Sequence, residues 1–431
     1  MLARTRAHFW PDLPEWIARL NDTRLQEACT YSRGFLTYLG LLVFLGKCGS
    51  RRQVKYELDG KESLANLNRL AGAEQEAVAH PDTLDHFLGH LPESELPRLR
   101  RQMVVRLIRM KVLDDARLFG HFPVVLDGTG QLYFRQRHCE HCLTKTVDGK
   151  TQYYHHVLEA KLVTPQGLAI SIGTEFIENT DPKASKQDCE LKAFARLAKR
   201  LRADFPQLLL CLLLDGLYAN GTVFDTCREN HWKYIITFKE GSLPALWRDY
   251  QDLLGLCPDN RKDHRPDPDT RQSFAWVNDL EHRDDHGRIH QLAALQCHEQ
   301  CGDKKQFFAW LTNFTVDDQS VVALANRGGR CRWKIENQGF NIQKNGGFNL
   351  EHAYSLSNRQ IKNYYLLMQI AHLILQLIER GSLLGGTAQR LFGSLKNLAR
   401  RLAESLRHYL IPAEATDPLA AARIQIRLNS S

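Results

Sequence analysis

The sequence predicts a mixed α/β protein: a core of short strands and helices, flanked by helical segments at both ends. Three observations carry this. Residues 1 to about 120 follow helical periodicity, the pattern then switches at Val124 to short β-rich runs, and helical spacing returns from Ser320 onward. Five segments are expected. They are an all-α N-terminal domain over 1–120, a first core part over 121–239, a β-rich insertion domain over 240–318, a second core part over 319–380 that carries Glu336, and a basic helical tail over 381–431.

Each element has its own signal. Residues 34–46 are strongly apolar and predict a buried helix, and Pro81-Asp82-Thr83-Leu84 predicts a helix start with Asp82 as N-cap ahead of Phe87, Leu88 and Leu91. Residues 95–113 predict a helix with Val104, Val105, Leu107 and Ile108 inside and arginines outside. Residues 124–127 form a short apolar run, and Leu132-Tyr133-Phe134 continues it in extended fashion after a glycine turn. The β-rich runs 153–163 and 168–174, separated by Pro165-Gln166-Gly167, predict an antiparallel hairpin. Helical spacing over 186–202 runs through Leu191, Phe194, Leu197 and Leu201. The wholly apolar run 208–214 fits a central strand buried on both faces. A short helix over 222–230 and a strand over 233–238 follow. Beyond a Pro/Asp-rich tract around 259–269, three strands are expected at 273–277, 288–296 and 306–311. One helix over 320–344 then ends at Asn345-Gly346-Gly347, and 358–380 and the tail are helical.

The 431 residues, 43% of them hydrophobic, suffice for an ample core. The formal charge of +8 is unevenly spread. Residues 98–117 carry seven cationic side chains against Asp114 and Asp115, and eight from Arg380 to the end face only Glu404, Glu414 and Asp417. Such runs meet phosphate backbones or form solvated helix faces. Eleven cysteines without a disulfide framework and a start without an apolar signal core predict a reducing cytoplasm. The longest apolar stretch, 364–378, is too short for a bilayer and is interrupted by Gln369, His372 and Gln376, so it reads as a buried helix and no membrane partner is expected. There is no Walker-type phosphate loop and no Gly-x-Ser-x-Gly elbow.

Three acidic residues stand out. Asp127 ends the run in Pro-Val-Val-Leu-Asp-Gly-Thr-Gly, Asp215 ends Leu-Leu-Leu-Cys-Leu-Leu-Leu-Asp-Gly-Leu-Tyr, and Glu336 lies within Arg-Cys-Arg-Trp-Lys-Ile-Glu-Asn-Gln-Gly-Phe. Taken singly, an Asp before Gly at a strand end is a turn residue. Two strand-end carboxylates with one helical carboxylate form the oxygen set that holds two divalent metals against a phosphodiester.

This pattern resembles the cut-and-paste insertion-sequence transposases of the DDE superfamily, in the branch with a β-strand insertion between the second Asp and the Glu. The matching motifs are Asp-Gly-Thr at 127–129, Asp-Gly-x-Tyr at 215–218 and Arg332-x-x-x-Glu336, with support from Leu158-Glu159-Ala160-Lys161-Leu162, Thr174-Glu175-Phe176-Ile177-Glu178-Asn179 and Trp310-Leu311-Thr312-Asn313. The resemblance covers roughly residues 80–380. It implies a ribonuclease H-like core in which Asp127 bridges two Mg2+ ions, Asp215 holds one and Glu336 the other, with Mn2+ as a substitute. It further implies a bacterial, nucleoid-associated enzyme, working as a homodimer on double-stranded DNA, that cleaves at terminal inverted repeats and joins the 3′ ends to target DNA. Two other readings are a ribonuclease H-like nuclease without strand transfer and a catalytically silent, transposase-derived DNA-binding protein.

The family signature places a Tyr three residues before the Arg and a Lys seven after the Glu, where this chain has Gly329 and Gln343. On a regular helix Arg332, Glu336 and Gln343 share one face and Lys344 lies off it. Arg332, Trp333 and Lys344 are the DNA-contact candidates: Arg332 as a phosphate clamp or merely an ion pair to Glu336, and Trp333 as a stacking platform or a core residue. Outside this set, His138-Cys139-Glu140-His141-Cys142 offers half of a structural zinc site at Cys139 and Cys142. The other half would come from Cys297 and Cys301 or from His155 or His156; the alternative is a turn with two buried or reactive thiols.

Overall fold

The computed structural model describes residues 1–179 and 187–416. They form two compact units. The first comprises Met1–Val112, Gly130–His155 and the described residues from Phe340 onward; the second comprises Leu113–Thr129 and the described residues of His156–Gly339. Helices from both ends of the sequence therefore share one unit, and the strands of 240–318 belong with the core strands in the other.

The first unit is mainly helical. Helix Arg33–Leu45 is capped by the Ser32 hydroxyl, which accepts from the Phe35 N–H at 3.2 Å, and every residue from Phe35 on is buried, so its sequence is apolar on all sides. It packs on helix Asn358–Arg380, buried without a break from Ile361 to Ile378. Several polar groups of that run are matched. Asn363 donates to the Leu88 and Leu91 carbonyls at 2.8 and 2.9 Å, and Gln369 and His372 meet Gln343 at 2.8 and 3.0 Å. Among the described residues no helix is long and apolar enough to cross a membrane.

Two expectations change here. Helix Pro81–His90 is capped by His80, whose ring accepts from the Asp82 N–H, because Pro81 takes the first helical position and moves Asp82 inside the first turn. Helix Glu95–Arg109 buries Leu96, Leu99, Met103, Val104 and Leu107, but it also buries Arg100, while Val105 and Ile108 are half-buried. Arg98 pairs with Glu95 and Arg117 lies over the Phe122 ring at 4.1 Å, so the cationic run 98–117 presents less bare charge than its composition implies.

The strands are β1 Phe122–Phe134, β2 Leu143–Val147, β3 Lys150–Val163, β4 Ala169–Ile177, β5 Leu210–Leu214, β6 Lys233–Thr237, β7 Arg261–Asp267, β8 Thr270–Arg283, β9 Ile289–Cys301 and β10 Lys304–Thr312. In the second unit the sheet order is β4-β3-β1-β5-β6-β10-β9-β8-β7. β5 is parallel to β1 and to β6; β3/β4 and the ladder from β6 through β10, β9, β8 and β7 are antiparallel. β5 is buried at all five positions, as its apolar run predicts. Strands β2 and β7 and helix Pro244–Leu256 were not anticipated. β7 hides in the Pro/Asp-rich tract because an edge strand needs no apolar alternation, and most of its residues are exposed. The β-rich insertion is thus an extension of the central sheet through the β6–β10 pairing.

The late helix is the largest departure. In place of one regular helix over 320–344, the chain runs as α-helix Val321–Ala323, π-turns Leu324–Gly328, a 3₁₀ turn Gly329–Trp333, π-turns Ile335–Phe340 and α-helix Asn341–Asn345. The break falls where Gly329 backs onto β10: a Cβ there would sit 2.2 Å from the indole nitrogen of Trp310. The signature tyrosine has no room at this position, and irregular turns of this kind recur near functional sites. Gly329→Ala should lower the free energy of unfolding by about 1–3 kcal/mol, the range for overpacking, measured by urea denaturation.

Candidate active site

Asp127 and Asp215 emerge side by side from the sheet. β1 and β5 pair in parallel with Phe122 opposite Leu210 through Val125 opposite Leu213, and continuing that register by two residues sets Asp127 opposite Asp215. Neighbouring strands lie about 4.8 Å apart and in-register side chains share a face, so the two carboxylates lie on one side of the sheet. Backbone donors orient both: the Gly128 N–H donates to Asp127 Oδ1 at 3.0 Å and the Leu217 N–H to Asp215 Oδ1 at 2.9 Å. The apolar runs make β1 and β5 neighbours, but the glycine turn expected after Asp127 is absent: β1 continues as one strand through Gly128–Gly130 to Phe134, so Asp127 lies within its strand and only Asp215 lies just past the end of its own.

Glu336 joins the pair through an arginine. Arg332 places one guanidinium nitrogen 3.0 Å from Glu336 Oε1 and another 3.5 Å from Asp127 Oδ2. The i,i+4 ion pair is present, and the same guanidinium also reaches the first aspartate. Trp333 is 52% exposed, with the Arg332 guanidinium 4.6 Å from its ring centroid, so it is a surface residue and not part of the core. Lys344 and Gln343 belong to the other unit. Gln343 is fully buried in its bonds to Gln369 and His372, and the Lys344 ammonium pairs with Glu351 at 2.9 Å. The straight-helix geometry that put Gln343 on one face with Arg332 and Glu336 fails because the helix loosens twice before it.

A fourth carboxylate, Glu190, was missed. It opens helix Glu190–Asp204, which is fixed to β4 by Arg196 on Glu175 at 2.6 Å, by Arg200 on the same carboxylate, and by buried Phe194, Leu197 and Leu201. Glu190 accepts from the Tyr218 hydroxyl at 3.4 Å and meets His156 Nε2 at 3.2 Å. A Cβ on Gly128 would lie 2.2 Å from Glu190 Oε1 and 2.5 Å from His156 Nε2, so the glycine after Asp127 admits both groups to its side. Nothing in the local sequence singles out Glu190, because its role arises from the packing of the helix on β4. Behind the site, Glu159 and Lys161 of β3 are both fully buried 3.5 Å apart, and Glu159 also accepts from Ser171 at 2.7 Å and from Thr174.

The electrostatics follow from this crowding. Burial pushes the Asp127 carboxyl up to about 6; Arg332 opposes the rise, and the negative charges of Glu336 and Glu190 add to it. Burial likewise raises the Tyr218 hydroxyl, with Glu190, Asp215 and Asp127 contributing. An all-oxygen, half-buried set with more anionic than cationic groups fits a hard divalent cation such as Mg2+.

The tightest ligand sets lie elsewhere. Among the described residues, two groups bring all their ligand atoms within 4.8 Å of one another: Cys139, Cys142 and His155, and Asp225, Asp284 and His290. Asp127, Asp215 and Glu336 do not form such a group, and the Arg332 guanidinium contacts both the first and the third. The second group is compensated by protein charge, with Arg228 2.5 Å from Asp225 and Arg288 3.0 Å from Asp284, and reads as an ion-pair network. No family model matches this chain, and a search of curated proteins finds no match.

Proposed function

We propose that this chain is a DNA transposase of the DDE superfamily, in which Asp127, Asp215 and Glu336 hold Mg2+ ions for phosphoryl transfer. The observation that carries the reading is the register of β1 and β5, which sets Asp127, within β1, opposite Asp215, just past the end of β5, with Glu336 tied to the first through Arg332. The strand order β4-β3-β1-β5-β6 supports a ribonuclease H-like core: three strands consecutive but for the short β2, then two that join on the far side of β1 in parallel.

When bound, the metal ions supply an activated water or 3′-hydroxyl and a stabilised leaving oxygen. The chain's own residues do the rest. The Gly128 and Leu217 amides orient the aspartates, Arg332 keeps Asp127 and Glu336 together and directs guanidinium donors toward a scissile phosphate, and exposed Trp333 fits stacking on an unpaired base. Glu190, close enough to raise the Asp127 carboxyl, is a further ligand candidate. Acting on bacterial DNA sets the protein in the cytoplasm, and joining two element ends calls for a homodimer on DNA.

The test uses purified protein, Mg2+ and labelled DNA bearing the inverted repeats that flank its coding sequence. The expected result is nicking at the 3′ ends followed by covalent joining of those ends to unlabelled target. Cleavage without joining supports a nuclease, and absence of metal-dependent cleavage sinks the catalytic reading.

A further inference from the structure

The motif His138-Cys139-Glu140-His141-Cys142 takes no part in the phosphoryl-transfer site, yet it forms the densest cluster of soft ligands among the described residues. Cys139 Sγ and Cys142 Sγ lie 3.5 Å apart, and His155 Nε2 lies 3.4 Å from the first and 3.6 Å from the second. A tetrahedral zinc ion with Zn–S near 2.3 Å and Zn–N near 2.0–2.1 Å sets its ligand atoms roughly 3.5–3.8 Å apart, so these three atoms already face a common centre. Hydrogen bonding alone explains the triangle poorly, because one imidazole nitrogen cannot serve two thiols at once. Cys142 and His155 are buried, which suits a closed structural site better than an exchangeable one.

The fold makes the cluster. β1 ends at Phe134, the loop that follows carries both cysteines, and β3 returns beside it so that His155 faces the loop. Strand alternation separates the two neighbouring histidines: His155 turns to the cysteines and His156 to Glu190. For the fourth ligand, His138 and His141 stand on the same loop as the two cysteines, but the ring nitrogens of neither join the group of atoms within 4.8 Å, so a fourth contact needs a side-chain rotation. His138 is engaged, its Nε2 2.5 Å from the Leu356 carbonyl and its ring stacked on Phe134 at 4.5 Å. His141 has its Nδ1 buried without a hydrogen-bond partner.

We propose that Cys139, Cys142 and His155 hold a structural zinc ion, with His141 as the fourth ligand. The ion would pin the loop after β1 to β3 and so close the 139–155 segment. The site stands independently of the transposase reading.

The test is the metal content of the full-length protein purified from zinc-supplemented medium and dialysed. About one zinc equivalent per chain is expected. Cys139→Ser and His155→Ala should lose it, His141→Ala should bind more weakly by about 10-fold or more, and Cys189→Ser, at an exposed cysteine, should retain it. Because ligand variants can misfold, the wild-type protein is also loaded with cobalt. A thiolate-to-cobalt charge-transfer band with the strong visible bands of a tetrahedral ion is expected. Folded wild-type protein with less than about 0.1 zinc equivalent and no cobalt–thiolate band overturns the proposal. So does a metal-free protein whose mass shows a Cys139–Cys142 disulfide. Unchanged zinc affinity in His141→Ala overturns the fourth-ligand assignment.

Discussion

Asp215→Asn should reduce Mg2+-dependent cleavage of element-end DNA by about 10³-fold or more, with little loss of stability. Removing one anionic ligand from a metal that supplies several kcal/mol of transition-state stabilisation produces an effect of that size, at 1.4 kcal/mol per factor of ten. The fold should tolerate the change, because the oxygen that accepts from the Leu217 N–H at 2.9 Å survives in asparagine. Glu336→Gln should behave likewise, since the amide oxygen still accepts from Arg332. Arg332→Lys separates the roles of the guanidinium: if it serves only as an ion pair, lysine substitutes and cleavage changes little, whereas a two-pronged contact with acid and phosphate is lost. The measurement is the single-turnover rate of strand nicking at saturating protein and metal. A rate within about tenfold of wild type for Asp215→Asn would remove the metal-ligand assignment.

The parts of this site that were legible in the sequence are those set by the apolar strand runs. Val124–Asp127 and the apolar run ending at Asp215 announce two buried strands; the carboxylate marks the strand end at Asp215, whereas β1 runs on past Asp127 to Phe134. The expected mixed α/β class follows from the same runs and is the class observed. Their parallel pairing is tertiary information that periodicity does not carry. Glu190 illustrates what sequence does not carry: a glutamate in a first helical turn is ordinary, and it becomes notable only because β4 and its arginine partners set that turn beside Asp127 and Tyr218. Glu336 was located by motif, but its surroundings were not. The helix-face argument assumed 3.6 residues per turn through a stretch whose Gly328 and Gly329 let the backbone loosen into π- and 3₁₀-turns. The same loosening leaves Gln343 buried against Gln369 and His372 and not on one regular helix face with Arg332 and Glu336. The Cys139–Cys142 motif shows the converse case: the cysteine spacing was visible, whereas the grouping with His155, not with His156 or with Cys297 and Cys301, depended on which face of β3 meets the loop.

In metal-free buffer near pH 7.5, Asp127→Asn should make the protein more stable while abolishing cleavage. Folding lifts this carboxyl from the usual aspartate range near 4 to about 6, chiefly by burial; Arg332 opposes the rise, and Glu336 and Glu190 add to it. A carboxyl raised in this way binds its proton more tightly in the folded chain than in the unfolded one. Its contribution to stability is therefore greatest below about pH 4 and is lost as the pH climbs to about 6. Above that, ionised Asp127 costs the fold on the order of 3 kcal/mol, from roughly two pK units at 1.4 kcal/mol each. Asparagine carries no charge to desolvate, so its gain over wild type should be full at pH 7.5 and absent near pH 4, read as the difference in urea midpoints multiplied by the slope. Added Mg2+ should reverse the order, because only the carboxylate profits from the cation, and wild type then gains stability as the metal is titrated. Equal midpoints at pH 7.5 without metal, or a gain that persists unchanged at pH 4, would show that Asp127 is not held in a charge-strained pocket. A strained carboxylate that a divalent ion relieves is the stability cost expected of a functional site.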